Sequence, residues 1–201
     1  KNGKLEGQFF SPAPDYFLTQ GKQYDKTLKT FFPKKTKIIG SLKYDLLKFK
    51  NKITEEIYKI KFNAKKQNKK IILVCPSIGD EWDVLNYTKN SYNSKYRYIL
   101  SPHPIIRKET IAKFLDVFKN KSKIEIYDNV STTELLAISN FVICGFSSIG
   151  YEALFYNVQS VRVVNAKNPP FFDLKDGVMT AQSPRELRKI LNKKTNYKSN
   201  K

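Results

Sequence analysis

Short apolar runs closed by Gly, Pro, Ser or Asn alternate with longer stretches whose apolar residues recur three and four positions apart, and this alternation constrains the fold most. The runs "KIIG" from Lys37, "KKIILVCPS" from Lys69, "YRYILSPHP" from Tyr96, "KIEIYDN" from Lys123, "NFVICGFSS" from Asn140 and "QSVRVVN" from Gln159 have strand character. Between them lie "SLKYDLLKFKNKITEEIYKIKFNAKK", "DEWDVLNYTKNSY", "IIRKETIAKFLDVFKNK", "STTELLAIS" and "SIGYEALFYN", all with helical spacing. Ile106, Ile111, Phe114, Leu115 and Phe118 share one helical face, with lysines opposite. The expected class is α/β: a three-layer α/β/α sandwich with a mainly parallel sheet. Residues 1–36 are expected to be an irregular lead-in with a short helix, 37–193 the sandwich domain, and 194–201 a flexible tail. Residue 1 is not Met, so the chain is expected to be a piece of a longer protein.

A chain of 201 residues can bury a core without disulfides or metal. Its 37 basic and 18 acidic residues leave a net charge of +19, which favours phosphates, nucleic acid or an anionic membrane surface as partners. The lysines are scattered, however, and AT-rich coding enriches the same residues (Lys, Asn, Ile, Tyr, Phe), so the charge has two explanations. Twelve tyrosines and fourteen phenylalanines among basic residues fit single-strand binding. Most of the aromatics fall on core-facing positions, and no RNP-like, zinc or helix-turn-helix signature accompanies them, which makes nucleic acid the lesser partner. Cys75 and Cys144 are too isolated for a zinc site or a redox pair and are expected to be buried, reduced thiols of a cytosolic protein. No apolar run approaches the roughly 20 residues of a membrane span, and the polar start "KNGKLEGQ" is no signal peptide.

In a parallel sheet of this kind ligands bind beyond the carboxyl ends of the strands, so the loops after the strands are the candidates for function. In "CPSIGDEWDVL", Ser77 and Gly79 have the character of an anion cradle. Asp80, Glu81 and Asp83, however, complement the dipole of the next helix and would repel a phosphate, so Asp80 is read as a cap and the loop as the edge of a site. In "SPHP", His103, the chain's one histidine, sits between prolines that stiffen the backbone and aim the ring. Imidazole can donate a proton near neutral pH or pair with a phosphate; the ordinary alternative is a packing or surface histidine. In "GFSSIGYEAL", Gly145 permits a sharp turn, Ser147 and Ser148 offer hydroxyls beside Phe146, and the next helix opens with unpaired amides. Glu152 lies far enough along to accept hydrogen bonds from ribose hydroxyls. Alternatively, Ser147 only caps the helix and the glycines only permit close packing. "NAKNPPFFDLKDG" (165–177) is either a loop that folds over a bound group or a plain connection. It leads to a helix capped by Ser183, with Pro184 at its first position and Glu186 closing a capping box.

"KIIGSLKYD", "ILVCPSIGD", "ILSPHP" and "GFSSIGYEAL" together resemble the Rossmann-like, donor-binding carboxyl-terminal half of GT-B glycosyltransferases, over roughly residues 16–193. The likeness is greatest to bacterial capsule and lipopolysaccharide enzymes, including sialyl- and Kdo-transferase-like families. There a His-Pro pair and a Ser-Ser pair contact a cytidine nucleotide. The resemblance therefore implies that His103 binds or protonates the departing phosphate beside Pro104, that Ser147 and Ser148 hold it, and that Glu152 meets the ribose. It implies a CMP-activated acidic sugar as donor, a glycan or glycolipid acceptor, no cofactor and no metal. The absence of an Asp-x-Asp pair and of a His/Cys cluster agrees with the last point. Residues before 36 are too few for an acceptor domain, so an amino-terminal domain or partner subunit would have to supply the general base. The expected place is the cytoplasm, with peripheral contact at the inner face of the membrane. Sugar-nucleotide 2-epimerases share the architecture and remain the alternative, although one histidine is few for their acid–base work.

Overall fold

A parallel pair of strands needs a crossover between them, and the computed structural model shows one already in the lead-in. It describes residues 15–41, 54–118, 124–127, 129–165 and 177–193. The chain divides into two compact units, Lys1–Lys50 and Asn51–Lys201. In the first, β1 (Phe17–Thr19) and β2 (Thr36–Ile38) pair in parallel across α1 (Lys22–Phe31). The lead-in is thus less irregular than its sequence implies. Three-residue strands are too short to show a period of two, and "KIIG" joins this small sheet instead of opening the large one.

The second unit begins its described part with α2 (Glu55–Lys66), capped by the Thr54 hydroxyl on the Ile57 amide. The chain continues through β3 (Lys70–Cys75), α3 (Glu81–Ser91), β4 (Tyr96–Leu100), α4 (Lys108–Phe118) and β5 (Ile124–Ile126). It returns through α5 (Thr132–Ile138), β6 (Phe141–Cys144), α6 (Ile149–Phe155), β7 (Gln159–Val163), β8 (Met179–Ala181) and α7 (Pro184–Asn192). The sheet order is β5-β4-β3-β6-β7-β8, and every neighbouring pair is parallel. This is the expected α/β/α sandwich. β8 was not legible as a strand because "MTA" carries one long apolar side chain.

Burial on both faces explains the continuous apolar runs. Ile71, Leu73 and Cys75 pack with Ile57 and Ile60 of α2, Leu135 and Leu136 of α5 and Ala153 of α6. Ile72 and Val74 face the other way, into Val84 and Leu85 of α3, Phe114 and Phe118 of α4 and Leu187 of α7. Alternate side chains of one strand thus feed two cores, and neither face can tolerate a charge. Cys75 and Cys144 are register partners in β3 and β6, both buried and both free thiols, as expected.

The starts of α5 and α7 follow their sequence cues, the second with a variation. Ser131 and Glu134 form a complete capping box on α5. Ser183 caps α7, with its hydroxyl accepting the Glu186 amide at 3.2 Å and Pro184 in the first turn. Glu186 reaches back to the Gln182 amide rather than to that of Ser183, so the box is displaced by one residue. The stretches 42–53, 119–123, 166–176 and 194–201, with the front of the "SLKYD" helical pattern, most of the 165–177 loop and the tail, lie outside the described residues.

At the β4–β5 edge, Arg97 donates to both Glu125 oxygens, at 3.0 and 2.7 Å, and to the Ile60 carbonyl at 2.9 Å. The Tyr127 hydroxyl donates to Glu125 at 2.6 Å. Burial, with the hydrogen bond to Glu125, pushes Tyr127 up to about 12. A raised acid favours the protonated, folded form, so this contribution is intact below the ordinary tyrosine value of about 10 and disappears as pH climbs towards 12. Urea melts from pH 9 to pH 12 should show a steeper stability loss in the wild type than in Tyr127→Phe. A second prediction concerns Gly150 on α6, where an added Cβ would lie 3.0 Å from Cys144 Sγ and 3.2 Å from Ser160 Oγ. Both neighbours are buried, so relief of the contact has to come from the packed core and overpacking is expected to outweigh the better helix propensity of alanine; Gly150→Ala should cost roughly 1–2 kcal/mol by denaturant titration.

Candidate functional site at the carboxyl edge of the sheet

The chain leaves β3 towards β4 and β5, then returns to the opposite side of β3 to lay down β6. The loops that follow β3 and β6 therefore diverge, and the crevice between them is where open sheets of this kind accept ligands. Ser77 and Gly79 lie in the first loop, and Gly145, Phe146, Ser147 and Ser148 in the second. His103 and Pro104 follow β4, the neighbour of β3 on the other side. The sheet thus brings all the proposed binding loops to one edge, in the order β4, β3, β6.

Hydrogen bonds join these loops in a row. Beyond the strands, the Ser101 amide donates to the Val74 carbonyl at 2.9 Å and the His103 amide to the Pro76 carbonyl at 3.2 Å. The "SPHP" loop is thereby fastened alongside "CPS". Ser101 also shares a 2.7 Å hydroxyl contact with Thr132 at the start of α5. Inside its own loop, His103 Nδ1 accepts the Ile105 amide at 3.3 Å, and its carbonyl accepts that of Ile106 at 2.9 Å. With Nδ1 accepting, the neutral ring carries its proton on Nε2, which is left to donate. His103 is half-buried and Pro104 exposed.

The link between the other two loops is Asp80. It occupies the N-cap position of α3, and its carbonyl accepts the Val84 amide at 3.0 Å, but its carboxylate makes no cap bond to the helix. Instead Oδ1 accepts the Ser77 amide at 2.7 Å and Oδ2 accepts the Phe146 amide at 2.6 Å. This corrects the capping role read from the sequence: with φ −121° and ψ 0°, Asp80 is not in the extended conformation of a normal N-cap, and its side chain turns back across the crevice. Burial pushes its carboxyl above the usual aspartate value; the two amides oppose that shift, while Glu81 and Asp83 add to it.

The serine loop is partly open. Ser147 is half-buried, and its Oγ accepts the Ile149 amide at 3.4 Å; Ser148 is exposed and donates its hydroxyl to Glu152 Oε1 at 3.1 Å. Glu152 is only 4% exposed, so its carboxylate is turned inward rather than presented at the rim. Arg162, at the end of β7, is buried with its guanidinium 5.5 Å from the Tyr151 ring. The Phe146 amide is engaged by Asp80 and the Ser148 hydroxyl by Glu152, so neither faces a guest as an uncommitted donor. Ile78, Trp82 and Ile105, on the loops after β3 and β4 and the first turn of α3, are exposed apolar side chains at the same edge. A separate hollow of about 680 Å³ is lined, among the described residues, by Tyr58, Lys61, Phe62, Lys65 and Lys66 of α2 alone, and involves no strand-end residue. Among the described residues no three His, Cys, Asp or Glu side chains group to hold a metal ion, and no helix is long and apolar enough to cross a membrane.

Two features escaped sequence reasoning. The Asp80–Phe146 bond spans 66 residues, and no motif announces it, although a glycine opposite an acid at the switch point is its trace. The Ser101–Thr132 contact was hidden because either residue alone looks like an ordinary turn or helix-start residue.

No protein-family model matches the chain, and no curated protein matches it in sequence. Solved structures do match it in shape. The wall teichoic acid polymerase TagF, in a crystal soaked with CDPG, shares 18% identity at a TM-score of 0.57 over 91% of this chain and 47% of that one. The UDP-GlcNAc 2-epimerase of Methanocaldococcus jannaschii, in complex with UDP-GlcNAc and UDP, shares 14% at 0.63 over 91% and 56%. Anabaena Alr3699/HepE, in complex with UDP and glucose, shares 12% at 0.57 over 89% and 52%. The chain thus spans about half the length of the structures it matches. At this identity the likeness establishes the fold alone: the described part of the second unit is built as one Rossmann-like half of the GT-B architecture.

Proposed function

We propose that this chain is the donor-binding half of a GT-B glycosyltransferase of bacterial surface-polymer synthesis, and that the donor is a nucleotide-activated sugar held at the carboxyl edge of β4, β3 and β6. The observation that carries the reading is the hydrogen-bonded row of loops at the carboxyl edge of β4, β3 and β6, and the presence of His103 and the Ser147–Ser148 pair on that row supports a shared site. The ligands in the matched structures, CDPG, UDP-GlcNAc and UDP with glucose, support a nucleotide guest, and the polymerase among them supports a surface polymer as product.

In this reading the phosphate sits against His103 Nε2–H and the two serine hydroxyls. When the sugar–phosphate bond breaks, negative charge grows on the phosphate oxygens, and fixed donors stabilise that charge more than they stabilise the intact donor. The histidine can also pass its proton to the leaving phosphate. Within the same reading the donor is a CMP-activated acidic sugar, and for the ribose to meet Glu152 both the Ser148 hydroxyl and the inward-turned carboxylate must rotate towards the ligand. The acceptor, a glycan or glycolipid, and the general base come from a further domain or a partner subunit, so this chain binds the donor without completing a transfer. Its lysine-rich surface suits contact with the anionic inner face of the membrane.

A 2-epimerase reading draws on the TM-score of 0.63 to the archaeal enzyme. The two separate by chemistry: an epimerase must move a proton at C2 of the sugar, whereas a transferase must not.

Titration calorimetry of the 201-residue chain with CMP, CDP, UMP, UDP and GDP tests the site. One nucleotide, expected to be CMP, should bind, and His103→Ala and Ser147→Ala should each weaken it by about 10- to 150-fold, the loss of one hydrogen bond to a charged group. Equal affinity in the wild type and both variants would remove the assignment. Deuterium wash-in at C2 of a bound nucleotide-sugar would replace the transferase with the epimerase. Tight, steeply salt-dependent binding of an oligonucleotide, without nucleotide selectivity, would point to a nucleic-acid module.

A further inference from the structure

We propose that Asp80 is the positioning residue of the site: its carboxylate ties the loop after β3 to the loop after β6 and holds Gly145–Ser148 in the shape that receives the donor phosphate. The inference rests on the nucleotide reading above and extends it to a residue that does not touch the ligand.

Three observations carry it. First, β3 and β6 are register partners up to Cys75 and Cys144, and beyond that pair no backbone–backbone hydrogen bond joins their loops among the described residues. The Asp80 carboxylate supplies the connection, with one oxygen on the Ser77 amide at 2.7 Å and the other on the Phe146 amide at 2.6 Å. Second, Asp80 is only 4% exposed. A carboxylate is buried at a large cost unless it is hydrogen-bonded, so a placement this deep requires both bonds to be made together. Third, position 145 is shaped to admit the carboxylate. An added Cβ there would come within 2.1 Å of Asp80 Oδ2 and 2.3 Å of its Cγ, so only glycine permits the approach. The glycine that the sequence offers as a free turn is therefore a socket for an acid.

The consequence concerns order. Phe146 immediately precedes Ser147 and Ser148, and a loop anchored at its amide loses little freedom when a ligand engages the two hydroxyls. Without the anchor, that ordering has to be supplied by binding. Asp80 also fills, with the protein's own anion, an amide-lined position at the switch point. The donor phosphate is therefore met further out, by the serines and His103.

Asp80→Asn keeps the size and one acceptor oxygen but turns an NH2 group towards one of the two amide donors. Gly145→Ala displaces the unaltered carboxylate from the other side. In each variant the Phe146 amide should exchange with solvent about 100-fold faster in the ligand-free protein, while amides in the middle of β3 and β6 remain protected. Affinity of the folded protein for the nucleotide bound by the wild type should fall about tenfold in each, and the double variant should lose little more than either single one. Additive losses, or undiminished affinity in Asp80→Asn beside normal wild-type binding, overturn the proposal and leave the nucleotide reading standing. Wild-type protein that binds no nucleotide overturns both, even with Phe146 protected. If neither variant folds, the wild type still decides: a Phe146 amide that exchanges like an unbonded loop amide overturns the tie.

Discussion

The pairing of β3 with β6 governs the rest of the structure. The chain builds outward from β3 in one direction and must then come back past it, so β3 and β6 touch along their length but send their loops apart. Two properties follow from that one reversal. The central strands are covered on both faces and can be wholly apolar, which is why Ile72, Leu73 and Val74 are fully buried. At the carboxyl end the covering stops, and backbone amides of two loops face a gap with no ladder partner. Such amides need an acceptor, from the protein or from a ligand.

Here the protein supplies one of its own. A carboxylate at the switch point competes with a phosphate for the same donors, and Glu81 and Asp83 reinforce the negative field around it. In the proposed function, that arrangement favours a guest held by hydroxyls and an imidazole farther along the rim over one cradled by the backbone itself. Gly145 then has a different meaning from the one its neighbours suggest. It makes room for a side chain of the protein, whereas in a phosphate loop it would make room for the ligand.

What could be read from the sequence divides along physical lines. The central strands and the amphipathic helices were legible because burial on two faces, or on one stripe, writes a period into the residues: "IILVC" and "FVIC" have no other economical use, and Phe114 and Phe118 fall inside as their spacing requires. β1 and β8 were not, because "FLT" and "MTA" each end an apolar pair or single long apolar residue with Thr or Ala and belong to no longer apolar or alternating run. The loops could be located but not their bonds. Asp80 at a helix start reads as a cap by every local rule, and only the close approach of a loop 66 residues away redirects it. Glu152, with one helical turn between it and Ser148, could face out or in; the i,i+4 spacing places its oxygen under the Ser148 hydroxyl, and packing turns it inward.

The site's two arms are held by different means, and the difference bears on how each can act. The His103 loop is stiff by covalent geometry, with prolines on both sides, and its ring is further aimed by the Ile105 amide on Nδ1. The serine loop has glycine at its start and owes its shape to hydrogen bonds, chiefly the one from the Phe146 amide to Asp80. A proton donor must be held close to the oxygen that accumulates charge, and here the proline-restricted backbone, its amide hydrogen bonds to the neighbouring loop and the Ile105 amide on Nδ1 act together. A group that grips and releases a phosphate gains from being held by bonds that can lengthen. Under the proposed function, a rigid arm on β4 and an adjustable arm on β6, with the carboxylate of Asp80 between them, would separate aiming from gripping within one sheet edge.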